Sequence, residues 1–132
     1  MERCDKMIYT SYFGQIKNFP KNFEPICVAR WKPKWYTGRV FIALAPSDKL
    51  LCWWRASNKD KQAQEKYRLH YMAMLNTYDP VVISTVVTSI ARTRGPDVIP
   101  VLVCFEKDGF CHRHLIAEWF NQHGINCKEW SN

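Results

Sequence analysis

What this chain of 132 residues lacks narrows it first. It has no uninterrupted apolar run of about 18 residues, the length a membrane-crossing helix needs, so no span is expected. Its opening stretch, MERCDKMIYT, contains no apolar h-region. No secretory leader is therefore expected, and a cytoplasmic location is. No CxxC and no HxxxH pair occurs. The regular ligand spacings of structural zinc sites are thus missing, and neither a metal nor another cofactor is expected. No internal repeat, low-complexity tract or linker interrupts the sequence, and the length fits one domain over residues 1–132.

What is present is apolar and aromatic. Hydrophobic residues make up 47% of the chain, with six Trp, six Tyr and seven Phe. That suffices for a packed core and excludes a disordered chain. Six cysteines lie at positions 4, 27, 52, 104, 111 and 127. Several sit inside apolar runs, such as Cys27 in PICVA and Cys104 in VLVCF, which fits buried free thiols in a reducing compartment.

The net charge of +7 is unevenly spread. Residues 1–70 hold 14 Lys/Arg against 6 Asp/Glu, whereas residues 71–132 hold 5 against 6. The cluster RWKPKWYTGR, Arg30 to Arg39, interleaves cations with Trp and Tyr. That mixture suits phosphates and stacked bases, and it equally suits a solvated basic surface with no partner.

Strand-like and helix-like segments alternate. MIYTSYF (Met7–Phe13) and PICVAR (Pro25–Arg30) read as strands. WKPKWYTG is a loop, and VFIALAP (Val40–Pro46) is strand or extended loop. Ser47 and Asp48 start a helix, followed by a longer one within residues 57–78. Asp79-Pro80 is an N-cap followed by Pro at the first helical position, so VVISTVVTSIA reads as a helix despite its β-branched content, with Val82, Val86 and Ile90 on one face. VIPVLVCFE (Val98–Glu106) is a continuous apolar run, as in a central strand buried on both sides. Leu115, Ile116, Trp119 and Phe120 form a helical stripe ended by Gly124, and Ile125–Trp130 is a last strand. The expected architecture is α/β: a small three-layer sandwich with a mainly parallel central sheet flanked by helices.

The chemistry concentrates in CFEKDGFCHRHLIAEWF, residues 104–120. In an open parallel sheet, ligands bind beyond the carboxyl ends of the strands. The helix starting near Cys111 directs its free N–H groups and positive dipole end at that edge, an arrangement suited to an anion. Arg113 adds a planar fork for phosphate or carboxylate, and Lys107 and Arg30 add cations to the same rim. Cys111 is a candidate nucleophile, and His112 a candidate acid or base. Glu106 is a second acid–base candidate, or a partner for Lys107 or Arg113. Neighbours on a helix point about 100° apart, so Cys111 and His112 need not touch. The crowding of Cys104, Cys111, His112 and His114 leaves a metal as a minor alternative. An ordinary reading is also open, in which Cys111 packs, His112 caps and Arg113 forms a salt bridge. Trp35 and Tyr36 are candidates for stacking on a base or sugar, or for closing the core. Tyr67 and Tyr71 read as packing residues.

The segment VLVCFEKDGFCHRHLIAEW resembles the signature of the family called domain of unknown function 488: an apolar strand ending Cys-x-Glu-Lys, a short loop, Cys-His-Arg, then an amphipathic helix. Cys104, Glu106, Lys107, Cys111, His112, Arg113, Leu115, Ala117, Glu118 and Trp119 fit that pattern. ARWKPKWYTG followed by LAPSDKLL is similar to the family's upstream segment, through Arg30 and Pro33, and the helix with Tyr67 and Tyr71 fits too. The family's second-strand aspartate, in an Asp-Val-Arg type segment, is replaced here by Val28-Ala29-Arg30. The resemblance implies a small three-layer α/β protein of bacteria or their phages, and a site at Cys111, His112 and Arg113. It brings no established reaction.

Two functions compete. One is an enzyme on a nucleotide or another phosphate-bearing substrate, with Cys111, His112 and Glu106 catalytic. The other is a binding module that holds a nucleotide or nucleic acid on the basic, aromatic N-terminal half without turnover. A phage-encoded protein–protein adaptor using exposed aromatics is the blandest option.

Overall fold

The computed structural model describes residues 7–107 and 109–132. Cys4 lies outside the described residues. Five strands form one sheet: β1 (Ile8–Tyr12), β2 (Phe23–Cys27), β3 (Arg39–Val40), β4 (Ile99–Cys104) and β5 (Cys127–Glu129). Their order is β3-β2-β4-β1-β5, and every pairing is parallel. Among the described residues four α-helices accompany them: α1 (Asp48–Ala56), α2 (Lys61–Leu75), α3 (Pro80–Arg92) and α4 (His112–Gln122). The fold is therefore α/β and three-layered. No helix among the described residues is long and apolar enough to cross a membrane.

The central strand explains its own composition. β4 is hydrogen-bonded to β2 on one side and β1 on the other. Its residues alternate between two cores: Leu102 joins the cluster under the helices, while Val101 and Val103 join the one on the opposite face. Both faces are covered, so the run is apolar throughout. Pro100 pairs with β2 only, because pairing with β1 begins at Val101, and its missing N–H costs no ladder bond there.

The helix-side core takes Tyr67, Tyr71 and Leu75 from α2, Ile83 and Val87 from α3, and Leu115, Ile116, Trp119 and Phe120 from α4. The opposite face is closed by a 3₁₀ segment (Phe13–Asn18), the loop after β2 and aromatic rings including Phe13, Tyr36 and Trp130.

Caps set the helix starts. Ser47 accepts from the Leu50 N–H, Asp60 from Ala63, and Asp79 from Val81 and Val82. Gly124, at φ +77°, ends α4 in the left-handed region that glycine adopts without strain.

Some expectations need correction. The expected apolar face of α3 is wrong: Val82 is 55% exposed, and the buried residues are Ile83, Ser84, Val87, Thr88 and Ala91. So many positions of this helix are apolar that spacing alone does not choose a face. The second strand starts at Phe23 and ends at Cys27, so Val28 to Arg30 already belong to the loop. Glu106 lies beyond the last residue of β4. Val40 ends β3, and Ile42–Leu44 form a 3₁₀ turn.

Candidate functional site

All five strands run parallel, so their carboxyl ends share one edge. The loops after β2 and β4 meet there, beside the C-terminal half of α1. Between them lies a cavity of about 470 Å³. Cys104, Cys111 and His112 line it on the β4–α4 side, Ala29, Arg30 and Trp31 on the β2 side, and Leu51, Trp54 and Arg55 on the α1 side. Trp54, Tyr67 and Phe110 pack as a triad with ring centroids 5.0–5.3 Å apart and form one wall. Glu106, Phe105 and Lys59 complete the rim.

The chain enters α4 through Cys111, the N-cap residue, at φ −152° and ψ 145°. That backbone is extended, so the 100° offset between helical neighbours does not apply to Cys111 and His112. Instead the Cys111 sulfur lies 3.9 Å from Nδ1 of His112. The other ring nitrogen, Nε2, is 2.7 Å from the Val28 carbonyl. A carbonyl oxygen only accepts, so Nε2 carries the hydrogen and Nδ1 keeps its lone pair toward the thiol. Burial drives the His112 pKa down to about 4, with the Arg113 and His114 charges acting in the same direction and the Val28 bond opposing. The ring is therefore neutral at pH 7, and the edge-on Tyr71 ring (centroid 5.5 Å away) helps hold it. The orienting group that the sequence did not reveal is a backbone carbonyl, which has no side-chain signal to find.

Cys104 joins this pair. Its sulfur and that of Cys111 are in contact, while their Cα atoms stand 7.8 Å apart, wider than a relaxed disulfide spans, so a cross-link between them requires the β4–α4 loop to move. Donor atoms of Cys104, Cys111 and His112 all lie within 4.8 Å of one another, and all three residues are buried. Two thiolates and one imidazole are donors that zinc accepts, and these are the residues able to hold such an ion. His114 is exposed and outside the group. Cys27 and Cys127 are free and buried, with thiol pKa values raised by burial, and Cys52 is free and exposed.

Arg113 is not where an anion ligand would be. It is 1% exposed and does not line the cavity. Its guanidinium donates to Glu129 (Nη2–Oε2 2.9 Å), to the Glu106 and Lys107 carbonyls and to the Cys104 sulfur (3.3 Å). It ties the β4–α4 loop to β5 and points a cation at one thiol, so its charge reaches the site through Cys104. Tyr36 is buried, its hydroxyl donating to the Arg39 carbonyl at 2.5 Å with the Pro25 carbonyl 3.1 Å away. It is a loop pin and not a stacking platform. Trp35 is exposed and packs beside Phe13, outside the cavity lining, and Lys107 is exposed and also outside it. Arg30 does line the cavity, while its fork is engaged by Asp48 at 3.0 and 3.2 Å. Glu106 lines the cavity, and its charge adds to the burial that raises the Tyr67 pKa.

Trp54, Arg55, Lys59 and Phe110 carry no local signal in the sequence that marks them as site residues. Trp54, Arg55 and Lys59 come from α1 and the loop after it, remote from the Cys-His-Arg segment, and only the chain's return across the sheet edge brings them to it.

The sequence model for the active DUF488-N3 subclade matches residues 15–124, which contain β2 to β4 and all four helices. The chain belongs to the DUF488 family. No curated protein and no solved structure matches it. The Cys-His-Arg segment of this chain is thus part of a Cys–Cys–His cluster open to a cavity, with the arginine buried behind it.

Proposed function

We propose that this DUF488 protein is a cysteine-dependent enzyme acting on a phosphate-bearing, nucleotide-like substrate in the cavity between α1 and the β4–α4 loop. The observation that carries this reading is the His112 geometry: a neutral imidazole, its tautomer set by Val28, with its free nitrogen toward the Cys111 sulfur. Cys111 attacks an electrophilic centre of the bound substrate, its proton passes to Nδ1 of His112, and the leaving group departs. A ring this reluctant to take a proton does not hold a resting thiolate–imidazolium pair. It accepts the proton as the new sulfur bond forms. The pair acts in its reduced state, because a Cys104–Cys111 disulfide leaves no nucleophile. Glu106, which lines the same cavity, is assigned the protonation of the leaving group.

The substrate class rests on the lining. Trp31, Trp54 and Phe110 offer aromatic faces, and Arg55 and Lys59 offer cations. The test is a turnover screen over nucleoside mono-, di- and triphosphates with reduced protein. Cys111→Ala is expected to abolish turnover, and His112→Gln to lower it at least about 100-fold, the usual scale of a lost acid–base group. A fully active Cys111→Ala variant refutes covalent catalysis.

A further inference from the structure

The cavity has an aromatic approach that the catalytic residues do not explain. Trp35 is 61% exposed, Trp31 58% and Phe105 48%. Large apolar rings at such exposure call for a partner when they lie close together; Trp35 and Phe105 share one neighbour, and Phe105 and Trp31 share one cavity. Phe13, itself buried, packs edge-on against both the Trp35 ring at 6.1 Å and the Phe105 ring at 5.0 Å. Phe105 and Trp31 both line the cavity. A strip of rings therefore runs from Trp35 over Phe13 to Phe105 and into the cavity mouth.

The strip is also cationic. From Pro25 to Ser47 the chain contains Arg30, Lys32, Lys34 and Arg39 and no acidic residue. Lys32 and Lys34 flank Pro33 on the exposed loop and have no carboxylate partner among the described residues. The loop is held in shape. The Tyr36 N–H donates to the Pro33 carbonyl at 3.0 Å, and the Tyr36 hydroxyl pins Arg39. Gly38 lies so close that a Cβ there would sit 2.7 Å from that hydroxyl. Trp35, packed edge-on against Phe13 and Tyr36, is thus presented to solvent on a rigid base, so little ordering is lost when a ring stacks on it.

We infer that this strip binds a single-stranded nucleic acid, stacking successive bases on Trp35, Phe105 and Trp31 with its phosphates along Lys32 and Lys34, and delivering one nucleotide into the cavity. Sequence-tolerant stacking beside a basic track is how single strands are held. A duplex, whose bases are already stacked, offers no free faces to the rings. The inference deepens the proposed function by naming a polymer as the substrate class, and it rests on that reading only for what happens to the delivered nucleotide.

The test is fluorescence-anisotropy binding of labelled dodecamers of deoxythymidine and of uridine to the full chain, with the matching duplex and thymidine monophosphate as competitors. Either single strand is expected to bind, the tighter of the two identifying the preferred sugar. Trp35→Ala should weaken binding at least about tenfold. Lys32→Ala/Lys34→Ala should flatten the slope of log affinity against log salt by about 1.4, at roughly 0.7 for each phosphate no longer neutralised. Equal competition by duplex or by the monophosphate overturns the inference. So does unchanged binding in Trp35→Ala, or self-association of the chain that Trp35→Ala abolishes, since the strip would then be an interface between two copies. Alkylation of Cys111 in the same samples separates the two readings. An unbound oligomer with a cavity whose turnover depends on Cys111 removes only the polymer, while a bound oligomer with Cys111→Ala fully active removes only the chemistry.

Discussion

Protonating His112 should destabilise this protein from its centre, and the cost follows from its surroundings. The ring is buried, bonded through Nε2 to the Val28 carbonyl and edge-on to Tyr71, with Arg113 and His114 close in charge. Burial lowers its pKa to about 4, against an unfolded value of 6.5. The unfolded chain therefore binds this proton first as pH falls. Stability is intact above pH 6.5 and is lost progressively down to about pH 4. Linkage over that window gives a loss of about 2 kcal/mol at pH 5 and about 3 kcal/mol at pH 4 relative to pH 7. Carboxylates also lose stability in acid, so the assay compares slopes. Urea unfolding of the protein and of His112→Gln would be measured at pH 7, 5 and 4 under reducing conditions. The glutamine variant starts less stable but should lose about 3 kcal/mol less than the wild type between pH 7 and 4. Parallel pH profiles would show that the ring is not buried in its neutral form, and the proton-accepting role toward Cys111 would fall with it.

Other outcomes follow from the same geometry. Mild oxidation of the native protein should consume the Cys104 and Cys111 thiols together, with a mass loss of two hydrogens on peptide mapping and loss of turnover restored by reductant; Cys104→Ser should block the cross-link. Arg113→Ala should cost about 3 kcal/mol in urea unfolding, because it frees Glu129, two loop carbonyls and one sulfur at once; a neutral result would mean that the loop does not depend on this anchor. Gly38→Ala should displace Tyr36 and release the loop that presents Trp35, seen as faster backbone hydrogen exchange over residues 31–39 without global unfolding.

Much of the scaffold was legible from local patterns. The apolar run of β4, the Asp79-Pro80 start of α3 and the 115–120 stripe of α4 each carry a signal within a few residues, because hydrogen bonding and burial act at short range there. The α3 face was misread because its valines and isoleucines surround the helix, and only packing against β2 and β4 selects among them.

The site divides in the same way. Cys111 and His112 stand out in the sequence by residue type and by their place after a buried strand, and the structure brings their side chains together. For Arg113 the salt-bridge alternative is the one the structure shows, but its partners were not legible, since Glu129 and Cys104 arrive from other strands. The Val28 carbonyl that selects the His112 tautomer is 84 residues away in sequence. The sequence by itself determined an α/β sheet with a strand-to-helix turn that carries Cys, His and Arg in a row. Tertiary structure alone decided which cation faces the cavity, which sulfur meets which, and which imidazole nitrogen is free, because these depend on distances between segments that only the closed sheet brings within reach.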